Sequence, residues 1–262
     1  MQAKQFMHGE TKIVYTLRGA GKPVVLLHGF GEDDTIWDDV AKTLSAHCLC
    51  IIPKIPGSGG TNCLPGRPSI HDFAEVIHQL LRYENIASCT FIGHSMGGYI
   101  ALAFAQKYPE MLRALCLFHS SAYADDAMKV ETRQKAIQLI REKGSMVFLK
   151  TAIPGLFHDT EKHKNAIESL LEKATQFTPE ALIQYYEALI NRTDTTAVLE
   201  KILVPVYFIL GEHDKAVPFK HGLQQSHLPK HAHLTILRQT GHMGMIEEPE
   251  KSTRTLLECI GE

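Results

Sequence analysis

The sequence predicts an α/β protein whose mainly parallel sheet is interrupted by a block of helices, and three observations carry that prediction. The first 120 residues alternate short β-rich runs with helical patterns, the signature of βαβ units. The runs VVLL, CLCII and CLF do not alternate with polar residues, as expected of strands covered on both faces. Residues 123–199 then read as consecutive amphipathic helices punctuated by Pro154 and Pro179, after which the βα pattern resumes.

In chain order, strands are expected at 12–17, 23–27, 49–52, 89–92 and 114–118. Residues 69–84 open with SxxD, a capping-box-like start. They place Ile70, Phe73, Ile77, Leu80 and Leu81 on one helical stripe that packs on the sheet. After the helical block come a strand at 204–210, a helix at 219–226, a strand at 234–237 and a helix from Glu250. The expected organisation is a core of residues 1–122 and 200–262 with residues 123–199 inserted, and there is no internal repeat or low-complexity tract.

At 262 residues with 44% hydrophobic and 21% charged side chains, the chain can bury a substantial core. Lys and Arg total 27 against 29 acidic residues, a net charge of −2 with no block of like charge, which argues against a nucleic-acid partner. The opening MQAKQFMHGE has no apolar stretch behind a basic start, and no run approaches the ~18 apolar residues of a membrane span. A cytoplasmic protein without a membrane partner is expected. The six cysteines, Cys48, Cys50, Cys63, Cys89, Cys116 and Cys259, lack CxxC spacing, and four lie in strand-like apolar runs, a pattern that suits a reducing compartment.

The strand at 89–92 runs into Gly93-His94-Ser95-Met96-Gly97-Gly98 and then into the helical run YIALAFAQKY. A strand, a tight turn and a helix around GxSxG form a nucleophile elbow, which lifts a serine oxygen clear of the sheet. Glycine is required at 93 and 97 because a side chain there would collide with neighbouring backbone, and Gly98 lets the helix approach closely. Serine is a weak nucleophile alone, so the elbow needs a base and an acid that orients the base. Candidates follow in the order Ser, Asp, His: Gly211-Glu212-His213-Asp214 after one strand and Gly241-His242-Met243-Gly244 after the next. At the C-terminal ends of successive parallel strands they would share the sheet edge of Ser95. There His242 would take the Ser95 proton and Asp214 would fix the imidazole tautomer. Glu212, and Asp125 and Asp126 after the strand at 114–118, are alternatives for the acid. The strand PVVLL ends in His28-Gly29-Phe30-Gly31, where the Phe30 N–H could join that of Met96 in facing a developing negative charge.

Taken together, HGFG at 28–31, GHSMGG at 93–98, GEHD at 211–214 and GHM at 241–243 resemble the α/β-hydrolase fold superfamily over nearly the whole chain. The turn Ile55-Pro56-Gly57-Ser58-Gly59 resembles that superfamily's D-x-P-G-x-G, with Lys54 where it usually has Asp. The resemblance implies an eight-stranded, mostly parallel sheet flanked by helices, with strand 2 antiparallel and a helical cap inserted after strand 6. The pattern is most similar to capped bacterial carboxylesterases and 3-oxoadipate enol-lactonases. It implies a serine hydrolase that cleaves a small-molecule ester or lactone through an acyl-enzyme, with no cofactor. C–C bond hydrolases, acyltransferases, cofactor-free perhydrolases and ligand receptors share the scaffold, and neither substrate nor oligomeric state is fixed by the resemblance.

Several other residues admit plainer readings. His28 and His94 are expected to be satisfied side chains of the loop and core. The histidine groups His231/His233 and His158/His163 near Asp159 match no ligand spacing that closes a zinc site, so no metal is expected. Lys129, Arg133 and Lys135 read as a solvated helix face. Met146, Phe148, Phe157, Tyr185 and Tyr186 could line an acyl pocket or form core.

Overall fold

A computed structural model describes residues 2–262 and contains strands β1 (Gln2–His8), β2 (Thr11–Gly19), β3 (Pro23–Leu27), β4 (Leu49–Pro53), β5 (Cys89–His94), β6 (Leu112–Phe118), β7 (Val206–Gly211) and β8 (Ala232–Leu237). They form one eight-stranded sheet in the order β1-β2-β4-β3-β5-β6-β7-β8. β2 runs antiparallel to both β1 and β4, and every other pairing is parallel. With its flanking helices this is the eight-stranded, mostly parallel sheet with strand 2 antiparallel that the resemblance implies.

The strands at the centre are rich in β-branched and aromatic residues, and β5 and β7 are buried along their whole length. The sequence reading missed β1. An edge strand needs little burial: of Gln2–His8 only Phe6 is buried, against Tyr15 and Tyr83, so the apolar signal is a single residue. A two-residue turn at Gly9, with φ of +58°, closes the hairpin to β2.

The helices are α1 (Asp38–Leu44), α2 (Ile70–Tyr83), α3 (Met96–Lys107), α4 (Ala127–Lys143), α5 (Ser145–Ala152), α6 (Lys164–Ala174), α7 (Pro179–Ile190), α8 (Thr196–Lys201), α9 (Phe219–Gln225), α10 (Gly244–Glu247) and α11 (Pro249–Ile260). The capping box read at Ser69 and Asp72 starts α2, which buries the expected stripe from Ile70 to Leu81. The packed pairs α2–α3 and α1–α11 lie against the sheet. No helix among the described residues is long and apolar enough to cross a membrane. Five cysteines are buried free thiols, and Cys63 is partly exposed.

Helices α4 to α8 all fall between β6 and β7, where no strand occurs among the described residues. This segment is tied to the sheet by specific contacts. Buried Tyr185 of α7 donates its hydroxyl to the carbonyls of Pro56 and Ile55, at 2.8 and 3.2 Å, in the turn after β4. In that same turn Lys54 Nζ donates to the Gly59 carbonyl at 2.8 Å and lies 3.7 Å from Asp34, which gives the lysine a structural use of its own.

Removing the Tyr185 hydroxyl leaves the buried Pro56 carbonyl short of a donor, while the Ile55 carbonyl keeps the Ser58 and Thr61 donors. Tyr185→Phe is therefore expected to cost about 1–3 kcal/mol, read as a lower urea midpoint at unchanged m-value.

Candidate active site

The turn between β5 and α3 is built on close approach. Ser95 sits at φ 50°, ψ −115°, a left-handed backbone that a side chain rarely adopts. A Cβ on Gly93 would lie 2.5 Å from backbone atoms of Gly97 and Gly98, one on Gly97 would press into the carbonyl of Leu27, and one on Gly98 into Ser120. The spacing of glycines thus follows from backbone packed on backbone. The Ser95 N–H donates to the Phe118 carbonyl of β6 at 2.9 Å, and Ser120 Oγ donates to the Ser95 carbonyl at 2.8 Å. Ser95 is half-buried and lines a cavity of about 330 Å³.

Asp214 follows β7, and His242 follows β8 on the same edge of the sheet. Asp214 Oδ1 accepts the N–H groups of Ala216 and Val217, both at 2.8 Å, which fixes the carboxylate; Oδ2 accepts from His242 Nδ1 at 2.7 Å. Burial would push the Asp214 carboxyl up, but the charge of His242 and hydrogen bonds from His119 and His242 hold it well below its ordinary value. The rival carboxylates lie elsewhere: Glu212 is exposed, Asp126 caps α4, and Asp125 binds Arg133 and Arg192. The His242 N–H donates to the Leu156 carbonyl at 2.6 Å. Glu247 receives the N–H groups of Gly241, Met243 and His158. The loop carrying His242 is thus clamped between the core and the helical segment. His242 and Ser95 line the same cavity.

Sequence reasoning missed His119, the residue after β6. It too has a left-handed backbone, at φ 49°, and its Nδ1 lies 3.1 Å from Asp214 Oδ2. Two imidazoles therefore converge on one carboxylate oxygen. His119 is fully buried with no partner for Nε2 among the described residues, and burial lowers its pKa to about 4, so it is the neutral Nδ1–H tautomer that donates to Asp214. Glycine at 244 makes room, since a Cβ there would lie 2.5 Å from His119 Nε2. The available signal was position, at the C-terminal end of the strand beside β5.

A second buried pair lies behind Ser95. Glu32 Oε2 accepts the Gly29 N–H at 2.7 Å and bonds His94 Nδ1 at 2.9 Å, while His94 Nε2 donates to the His242 carbonyl at 2.9 Å. Both His94 nitrogens face acceptors, so both carry protons and His94 is an imidazolium. Burial opposes its charge, but Glu32 overrides that and raises the His94 pKa; His94 in turn holds the buried Glu32 carboxyl below its ordinary range. His94 is satisfied within the core as expected, and His28 bonds the Gly29 carbonyl, the Ile55 N–H and Ser58 Oγ.

Phe30 follows Gly29, and its ring stacks on Tyr186 with centroids 4.2 Å apart, edge-on to Phe148 and Tyr185. Met96 is the first residue of α3, where a helix leaves its N–H groups without intrahelical acceptors. Of the apolar candidates, Phe148 and Tyr186 line the cavity, whereas Phe157 and Tyr185 are buried core and Met146 packs against it. Lys129 and Arg133 also line the cavity, contrary to the expected solvated face, because α4 turns that side inward; Lys135 alone is exposed, paired with Glu131.

Three of the four histidines read against a metal engage in ring stacking: His158 on His213, His163 on Phe157 and His233 on Tyr207. Among the described residues, three potential metal ligands do come together: His119, Asp214 and His242, with ligand atoms within 4.8 Å of one another. As hydrogen bonded here, the two Nδ1 atoms meet the same carboxylate oxygen, the chemistry of a proton-holding network.

A family model described as "Alpha/beta hydrolase family" matches residues 24–254. A pimeloyl-[acyl-carrier protein] methyl ester esterase of Pseudoalteromonas atlantica is 25% identical over 249 residues, spanning 92% of this chain and 95% of its own. Among solved structures, a thermophilic esterase from Thermogutta terrifontis has a TM-score of 0.92 at 25% identity, covering 99% of this chain and 98% of its own. An enol-lactonase from Burkholderia xenovorans LB400 also reaches 0.92, at 21% identity and over 99% and 100% of the two chains, a likeness of fold.

His119 makes stability pH-dependent in a defined direction. The folded chain protonates it only near pH 4, the unfolded chain near 6.5, so between those values the unfolded state binds more protons and stability falls as pH falls. His119→Asn, which tolerates the left-handed backbone and does not titrate, should lose less melting temperature than wild type between pH 7 and 4.5. Equal losses in the two proteins would contradict this.

Proposed function

The chain belongs to the alpha/beta hydrolase family, and on that premise we propose that it is a serine hydrolase cleaving a small ester or lactone through an acyl-enzyme. The observation that carries this reading is the 2.7 Å bond between His242 Nδ1 and Asp214 Oδ2, made by a histidine that lines one cavity with Ser95. Relatives named as esterases support it.

In this reading Ser95 Oγ attacks the substrate carbonyl while His242 Nε2 takes the hydroxyl proton. Asp214 holds His242 in the Nδ1–H tautomer and stabilises the imidazolium that forms. The Phe30 and Met96 N–H groups donate to the tetrahedral oxyanion. Collapse breaks the C–O bond, and His242 returns the proton to the leaving oxygen. Water then attacks the acyl-Ser95 carbonyl, gives a proton to His242, and Ser95 leaves as the hydroxyl with that proton. The mechanism calls on no cofactor. Residues 123–199 act as a cap over the core of 1–122 and 200–262, and bring Phe148 and Tyr186 to the cavity wall.

Hydrolysis of p-nitrophenyl esters from acetate to long acyl chains, by wild type and Ser95→Ala side by side, tests the reading. Ser95→Ala should lower kcat by on the order of 10⁶ and Asp214→Ala by on the order of 10⁴, with non-additive effects when combined. A Ser95→Ala enzyme with wild-type turnover would overturn the mechanism. The cavity size predicts a preference for short chains.

A further inference from the structure

The wall of the cavity at Ser95 is unevenly charged. Lys129, Arg133 and Lys215 line it, against a single carboxylate, Glu32. That carboxylate is already matched by the His94 imidazolium at 2.9 Å. Arg133 and Arg192 share one partner, Asp125, at 2.6 and 2.9 Å, which leaves one guanidinium charge in excess. Lys129 is half-buried, and its Nζ donates to a neutral acceptor, the Ala216 carbonyl, at 2.5 Å; it forms no ion pair among the described residues. Two of its three N–H donors are left for another group. Lys135, one helix face away, shows the contrasting arrangement: 73% exposed and paired with Glu131 at 2.6 Å.

A half-buried cation without an ion-pair partner costs desolvation energy, and Lys129 shares the cavity wall with apolar Phe148, Leu149, Ile153 and Leu189. An anionic ligand reverses that cost. We infer that the substrate carries a carboxylate, bound by Lys129 and Arg133 of α4 while its ester or lactone carbonyl lies at Ser95, an inference that rests on the hydrolase reading of the same site. The intervening carbon chain packs on the apolar wall. Selectivity arises because the ammonium and guanidinium give charge-assisted hydrogen bonds that a neutral acyl chain cannot accept.

The test compares p-nitrophenyl hydrogen glutarate with neutral p-nitrophenyl pentanoate in wild type, Lys129→Gln and Lys135→Gln. Wild type should favour the glutarate in kcat/KM by about tenfold or more, the scale of one charge-assisted hydrogen bond. Lys129→Gln should reduce that ratio by about tenfold, and Lys135→Gln, which removes the same charge from the exposed face, should leave it unchanged. The ratio cancels any disturbance of the Asp214 loop, since both esters use the same chemistry. Ser95-dependent turnover with no glutarate preference, or with a preference indifferent to Lys129→Gln, overturns the carboxylate site and leaves the hydrolase standing. If neither ester is turned over through Ser95, the hydrolase reading fails instead. Calorimetric titration of glutarate into Ser95→Ala and Ser95→Ala/Lys129→Gln then decides the site: about tenfold weaker binding in the double variant supports it, and equal binding sinks it.

Discussion

The buried pair of His94 and Glu32 is the contact on which the geometry around Ser95 depends. Through three hydrogen bonds it ties together three segments from distant parts of the sequence: Gly29 after β3, the residue before Ser95, and the backbone of His242. An ion pair taken out of water is stabilising only when its remaining donors and acceptors are met. Here the Gly29 N–H and the His242 carbonyl meet them. Moving any of the three segments would strand a charge in the core, and that is a strong reason for them to stay in register.

Around this pair, the parallel strands β5, β6, β7 and β8 deliver Ser95, His119, Asp214 and His242 to one edge. Ser95 and His119, on adjacent strands, both hold left-handed backbones. Backbone strain of about 1–3 kcal/mol per residue persists only where surrounding contacts over-determine it. For Ser95 those contacts are the glycines of the elbow, and for His119 they are Asp214 and the space left by Gly244. Asp214 is the junction of this edge, with both oxygens occupied by fixed donors and its carboxylate form favoured despite burial.

The helical segment is joined to this machinery at three kinds of contact. Tyr185 reaches the turn after β4, the Leu156 carbonyl and Glu247 bracket the His242 loop, and Lys129 holds the Ala216 carbonyl in the loop of Asp214. The Phe30 ring, stacked on Tyr186, makes the same link from the β3 side. A shift of these helices would therefore be felt at both the Asp214 and the His242 loops.

What the sequence determined by itself was whatever short-range physics dictates. Unbroken apolar runs marked buried strands, Ser69 and Asp72 marked the start of α2, and the glycines at 93, 97 and 98 marked a turn too tight for side chains. The order of Ser95, Asp214 and His242 after strands followed from the same local signals. Strand β1 escaped because an edge strand with one buried residue carries almost no hydrophobic pattern. His119, Glu32 and the inward side of Lys129 escaped for another reason: their partners lie 95, 62 and 87 residues away in the chain. A histidine's protonation depends on which atoms face its two nitrogens, and only the folded chain makes His94 a cation and His119 neutral. The same holds for charge at the cavity, where sequence counts cations and carboxylates but only packing decides which of them are paired.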